Sequence, residues 1–186
     1  GPTHSQSLEK YFIGIPNLAV YSLCHLGPLK ELLINIIEKE TRPTLIIENK
    51  QQYGVDNDTL INGNHNDFIT SIHWGNDGSY TVELSLSEDV KQDFTLITYG
   101  GGTLEVLEAV EELYFEHEIS GKVFVVTSLN SFDYSPILVS LKESGCLITV
   151  EEGAGSFGIG NGIVSEVCEQ NFDLLKMAPL VISSPP

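Results

Sequence analysis

His4 stands beside Ser5 and three residues from Ser7 in the opening stretch "GPTHSQSLEKYF". An imidazole titrates near pH ~6.5, so this group could take or give a proton at physiological pH. No G-x-S-x-G elbow surrounds either serine, which argues against a hydrolase triad. The plainer reading makes His4 a helix-start residue, with Ser5 or Ser7 capping and Glu9 or Lys10 nearby.

Two glycine clusters could do a different chemistry. Gly100-Gly101-Gly102 and the run "GAGSFGIGNG", Gly153 to Gly162, each fall between a strand-like and a helix-like segment. Such loops can aim helix N-terminal N–H groups at a phosphate, and residues 153–158 match G-x-G-x-x-G. No acidic residue follows on a next strand to hold a ribose, so tight turns and close packing are the expectation. In "QQYGVDNDTLINGNHNDF" (51–68), Asp56, Asp58, Asn62, Asn64 and Asp67 are oxygen donors for calcium. Their spacing misses the D-x-[DN]-x-[DN]-G pattern and no bidentate glutamate follows, so the stretch reads as a surface loop. The histidines at 4, 25, 65, 73 and 117 lack H-x-x-x-H spacing. Cys24, Cys146 and Cys168 form neither a disulfide framework nor a C-x-x-C knuckle, and read as free thiols in a reducing compartment.

The elements that would position these groups alternate. "AVYSLC" (19–24) and "TLIIE" (44–48) predict strands, with a helix over 27–40 that lines up Leu29, Leu32, Leu33, Ile36 and Ile37. "ITSIHWG" (69–75) and "SYTVELSL" (79–86) predict a hairpin across Asn76-Asp77-Gly78. Strands at 93–100, 122–129, 146–152 and 178–184 then alternate with helices at 102–118, 136–145 and 158–171. In the first of these, Leu104, Leu107, Val110, Leu113 and Tyr114 should point inward, and Gly145 should close the second. The pattern predicts an α/β fold: a mostly parallel sheet of about five strands with helices on both faces, preceded by part of a second α/β domain.

Charge narrows the partners. Nine Lys and Arg against 26 Asp and Glu give a formal charge of −17, which would repel nucleic acid. That acidity suits a basic protein partner, or serves solubility. No apolar run approaches the ~20 residues of a membrane span and no signal pattern opens the chain, so a cytoplasmic location without membrane contact is expected.

Taken together, four ordered segments resemble the beta subunit of the thiamin-diphosphate-dependent 2-oxo acid dehydrogenases, of pyruvate, branched-chain and acetoin type. "GPTHSQSLEKYFIGIPNL" is similar to the family's G-P-Q-H-S-Q-S-L-E-x-x-F-x-x-I-P-G-L, and "RPTLIIENKQQYG" to N-P-V-x-x-L-E-x-K-x-L-Y-G. "TLITYGGGTLEVLEAVEEL" resembles T-L-I-T-Y-G-x-x-V-x-x-A-L-E-A-A-E-x-L, and "VEEGAGSFGIGNGI" resembles V-E-E-G-x-x-x-G-G-F-G-A-E-I. The resemblance implies a fragment: residues 1–50 as the trailing part of a pyrimidine-binding domain, 51–90 as a connector with the hairpin, and 91–186 as a transketolase C-terminal-like domain.

It further implies oxidative decarboxylation of a 2-oxo acid and acyl transfer to lipoamide. The cofactor would be thiamin diphosphate, with Mg on the alpha partner. Partners would be the alpha subunit, a second beta subunit and the lipoyl acyltransferase. His4 takes the family histidine's place near the thiazolium. The activating glutamate and the G-D-G metal motif would lie outside this chain, which alone should neither hold the cofactor tightly nor turn over. Carbonyls of Ile37, Glu40 and Arg42 align with a potassium site, although Arg42 brings a positive charge there. Lys176 falls at or beside the place of a family carboxylate that meets the acyltransferase, and Thr3 replaces a glutamine. Another transketolase-family enzyme and a non-catalytic acidic or nucleotide-binding module remain the alternative readings.

Overall fold

The computed structural model describes residues 7–54, 64–65 and 67–184. Among the described residues, nine strands lie in two sheets. Strands β1 (Ala19–Ser22) and β2 (Thr44–Ile47) run parallel, bridged by helix α1 (Leu29–Lys39).

The larger sheet holds β3 (Asn64–His65), β4 (Phe68–Trp74), β5 (Tyr80–Ser85), β6 (Phe94–Thr98), β7 (Gly121–Val126), β8 (Leu147–Ala154) and β9 (Leu180–Ser184). Its order is β3-β4-β5-β7-β6-β8-β9. The last four pair in parallel, as expected where helices of ten or more residues link successive strands. The sheet has more strands than the alternation alone suggested, because the hairpin β4–β5 joins its edge antiparallel through β7.

Three helices serve this sheet: α2 (Thr103–His117), α3 (Ser135–Ser144) and α4 (Ile159–Asn171). Strand alternation splits the core between its two faces. On β7, Val123 and Val125 pack with Val106, Leu107 and Val110 of α2 and with Leu32 and Ile36 of α1. Phe124 and Val126 turn the other way, toward Ile137 and Leu141 of α3 and Ile159, Ile163 and Val167 of α4.

The ends of these elements follow local chemistry. Gly145 closes α3 at φ 73°, a left-handed conformation that glycine adopts without steric cost. The aliphatic stem of Lys176 lies against that glycine, and its ammonium donates to the Glu143 and Ser144 carbonyls at 2.9 and 3.3 Å. A cation there satisfies the negative end of the helix. In α2, Leu107 and Val110 are buried as expected, whereas Leu104 and Leu113 are only half-buried and Val106 takes an inward place. In α1, Leu32 and Ile36 are buried but Ile37 is 81% exposed. Ile37 lies at the rim of the stripe, near the helix end, where the small β1–β2 sheet does not reach over it.

The small sheet is docked onto the large one by main-chain bonds. Ser22 N donates to Thr127 O at 2.8 Å and Leu129 N to Val20 O at 2.9 Å. Asn130 adds a side-chain clamp, its amide donating to Leu18 O at 2.5 Å. These contacts fix residues 7–12 and 48–52 beside the glycine loops of the large sheet.

Candidate functional site

A cavity of about 400 Å³ opens where these segments meet. Ser7, Leu8, Glu9 and Phe12 form one wall, Leu45 and Ile47 with Glu48 to Lys50 another, and Gly101 with Glu152 the third. His4 and Ser5 lie outside the described residues, as do Asp56, Asp58 and Asn62 of the calcium alternative. The described residue nearest His4 in sequence, Ser7, is on the cavity wall.

Glycine positions the third wall. The Gly100 carbonyl accepts from Thr103 Oγ1 at 2.8 Å, which tightens the start of α2. Gln52 is buried and staples the turn: its amide donates to the Gly100 and Gly101 carbonyls at 3.1 and 3.3 Å, while its oxygen accepts from His25 N at 3.1 Å. No Cβ fits at Gly101, where the Asn49 side chain lies against the backbone. Asn49 in turn reaches Glu152 at 3.5 Å. Asn49 and Gln52 escape any motif search by residue type; only the "ENKQQYG" stretch as a whole marks them.

The second glycine run resolves differently. Glu151 is buried, and its carboxylate accepts from the backbone N–H groups of Ile159 and Gly160 at 3.0 and 3.2 Å. An anion bound at the N-terminus of α4 would need these same donors, and the protein's own carboxylate already holds them. Gly158 is required because a Cβ would collide with that carboxylate. Lys10 ties the first wall to this loop, donating to the Ala154 and Ser156 carbonyls, each at 3.0 Å. The G-x-G-x-x-G match is thus a packing device, as the sequence argued.

The family then follows from sequence comparison. The Transketolase, C-terminal domain family matches residues 85–186, more than half of the chain. The chain belongs to the transketolase C-terminal domain family. Its similarity extends further toward the N-terminus. A pyruvate dehydrogenase E1 component subunit beta of Chlorokybus atmophyticus is 30% identical over 187 residues, covering 100% of this chain and 50% of the relative. An acetoin:2,6-dichlorophenolindophenol oxidoreductase subunit beta of Cupriavidus necator is 28% identical over 186 residues, covering 98% and 49%. The mitochondrial pyruvate dehydrogenase E1 component subunit beta of Saccharomyces cerevisiae is 28% identical over 176 residues, covering 94% and 45%. The chain spans about half the length of the curated relatives it matches.

Within this transketolase C-terminal family chain, the cavity is acidic. Glu9, Glu48 and Glu152 face it against Lys50. Desolvation raises the Glu152 carboxyl, and so do the charges of Glu9 and Glu105. Its side chain is exposed at the rim. Burial also raises Glu151, against the pull of the Ile159 and Gly160 N–H groups, Lys10 and Tyr99. A diphosphate does not fit these described walls: like charges crowd the cavity and the N-terminus of α4 is filled.

Of the three residues aligned with potassium, Ile37 lies in the last turn of α1, and Glu40 and Arg42 follow its end. Arg42 grips Glu40 bidentately, Nε to Oε1 at 2.9 Å and Nη2 to Oε2 at 2.6 Å. The Arg42 carbonyl accepts from Thr44 Oγ1 at 3.1 Å. The Glu40 carboxyl falls from 4.5 to about 2, chiefly through its bond to the Arg42 side chain. A potassium ion placed on these oxygens would face a guanidinium within the same turn, so the residues present do not suit it. Among the described residues, Glu112, Glu116 and His117 also bring ligand atoms within 4.8 Å of one another, all exposed at the end of α2.

These shifts set opposite pH trends. Glu151 and Glu152 bind protons more tightly when folded, so they oppose folding as pH rises above 4.5. Glu40 binds its proton more weakly when folded; its contribution is present above 4.5 and lost as pH falls toward about 2. Urea denaturation should therefore show stability rising from pH ~7 to about 5 and falling below about 4. A monotonic decline from pH ~7 downward would contradict this assignment.

Proposed function

We propose that this chain acts as part of the beta subunit of a thiamin-diphosphate-dependent 2-oxo acid dehydrogenase, in oxidative decarboxylation of a 2-oxo acid with acyl transfer to lipoamide. The observation that carries the reading is end-to-end similarity to beta subunits: the matches to the pyruvate and acetoin enzymes cover 98–100% of this chain. A transketolase of another type would share only the carboxyl-terminal sheet. An acidic binding module would have no need of the "GPTHSQSLEKYF" motif.

In this reading the chain contributes His4, a wall of the cavity and subunit interfaces. Thiamin diphosphate, when bound in the assembled enzyme, would supply carbon-nucleophile chemistry toward the 2-oxo carbonyl. Its diphosphate and Mg are held by the alpha partner, and the group that activates the coenzyme lies elsewhere in the subunit. His4 would give or take a proton near the reacting carbonyl and acyl group, a task that suits an imidazole. Lys10 pins the 7–12 segment through the Ala154 and Ser156 carbonyls.

Exposed apolar residues fit interface duty. Ile34, Ile37 and Ile46 are 42%, 81% and 39% exposed on α1 and β2, the surface a second beta or an alpha subunit would cover. Lys176 is consumed in closing α3, so a basic acyltransferase segment would rely on the surrounding acidic surface instead. None of the helices among the described residues is long and apolar enough to cross a membrane. We place the complex in the cytoplasm, noting that two relatives carry "mitochondrial" in their names.

The experiment is reconstitution. The full subunit carrying this chain is mixed with its alpha partner, thiamin diphosphate and Mg, and 2-oxo acid-dependent reduction of dichlorophenolindophenol is followed. Turnover with both subunits and none with either alone supports the reading. No turnover on pyruvate, branched-chain 2-oxo acids or acetoin would refute it.

A further inference from the structure

We propose that the Arg42 guanidinium is a built-in cation in the turn between α1 and β2, so that the turn needs no exchangeable monovalent ion. The geometry is closed by this chain's own atoms. The Glu40 carboxylate accepts from Thr41 N, Arg42 N and Arg42 Nε, each at 2.9 Å, from Arg42 Nη2 at 2.6 Å and from the Tyr21 hydroxyl at 3.3 Å. Its side chain is only 8% exposed, and that of Arg42 31%.

Three physical arguments converge on the guanidinium. First, the C-terminal end of α1 exposes carbonyls whose partial negative charge attracts a cation. Arg42 sits two residues beyond the Glu40 cap, and Lys39 completes the last turn. Second, a bidentate guanidinium–carboxylate pair is directional and always charged, whereas a free ion must shed water and lose its translational freedom to serve the same place. Third, the pair leaves no uncompensated charge. Glu40 balances Arg42, with Asp77 adding a further favourable charge to the guanidinium. The carbonyl of Arg42 is engaged by Thr44, and the Glu40 N–H by Ile36 O at 3.2 Å.

The turn matters because it sets the register of β2. Thr44 pairs with Ala19, and Ala19 N donates to Pro43 O at 2.9 Å immediately after the turn. Beyond β2 come Glu48, Asn49 and Lys50 of the cavity wall. A fixed internal cation would therefore hold that wall regardless of the ionic surroundings. The proposal stands on this turn alone and survives failure of the enzymatic reading.

The test is thermal unfolding of the full chain in potassium chloride and in choline chloride at equal ionic strength, for the natural chain and for Arg42→Asn. The natural chain should melt at the same temperature in both salts, to within about 1 °C. Arg42→Asn should melt lower in choline by more than about 2 °C. Potassium should restore part of that loss saturably, since the vacated pocket keeps the Glu40 carboxylate and the helix-end carbonyls. A saturable potassium-specific rise in the natural chain would overturn the proposal. So would an Arg42→Asn loss of equal size in both salts, which would make Arg42 an ion-pair partner and nothing more. If that variant fails to fold, thallium(I) NMR on the natural chain decides: no bound signal supports the built-in cation, and a bound signal competed by potassium refutes it.

Discussion

Phe124→Ala is expected to destabilise the chain by about 3–5 kcal/mol, enough to leave much of it unfolded near body temperature. Phe124 is fully buried on β7, the strand that joins the parallel half of the sheet to the hairpin. It opposes Ile97 on β6 and packs with Ile137 and Leu141 from α3. Strands on both sides fix the backbone, so the space cannot collapse and a cavity the size of a ring remains. Phe157 supplies the contrast. It is 93% exposed at φ 57° in the glycine loop, and Phe157→Ala should change stability by less than about 0.5 kcal/mol. Urea midpoints of the two variants check this directly. Similar losses at both positions would show that the burial pattern is wrong.

His4→Ala, made in the full subunit and reconstituted with the alpha partner, should lower turnover with lipoamide as acceptor by about 10²–10⁴-fold. Assembly and the melting temperature should stay unchanged if the imidazole acts in the reaction. The size of the loss follows from a general acid's usual contribution to a proton-dependent step. His4→Gln keeps a hydrogen-bond donor and should recover binding but not the pH profile. If His4→Ala retained full activity, the imidazole would be a helix-start residue and nothing more.

Much of the architecture was legible. The alternation of short apolar strands with helices of ten or more residues, the Asp-Gly hairpin turn and the Gly145 stop are local signals, and each reappears close to its expected place. What escaped was set by distant partners. Nothing local says that Glu151 would fold onto the N–H groups of Ile159 and Gly160 and fill the space a phosphate-loop pattern invites. Likewise Thr95, Ser140 and Ser144 share a buried hydroxyl network, at 2.7 and 2.9 Å, inside an interface that periodicity would make wholly apolar. Ile37 was misplaced for a related reason: a helical stripe gives direction, but the neighbour's extent decides which end of it is covered.

The cavity shows the same division. Its first wall was marked by the segment after the serine-flanked histidine, but Asn49 and Glu152 meet there through a side-chain contact between distant turns, with Gln52 stapling the glycine turn behind them. The carboxylates of Glu9, Glu48 and Glu152 make the space a poor seat for a diphosphate, so in the proposed function coenzyme binding would depend on groups supplied from elsewhere.

Isothermal titration calorimetry tests that dependence most directly. Thiamin diphosphate with Mg, titrated into this chain alone, should release no heat of binding at micromolar concentrations. The same titration into the full subunit assembled with its alpha partner should saturate. Micromolar binding to the isolated chain would contradict the account, because the acidic cavity would then be holding the coenzyme unaided.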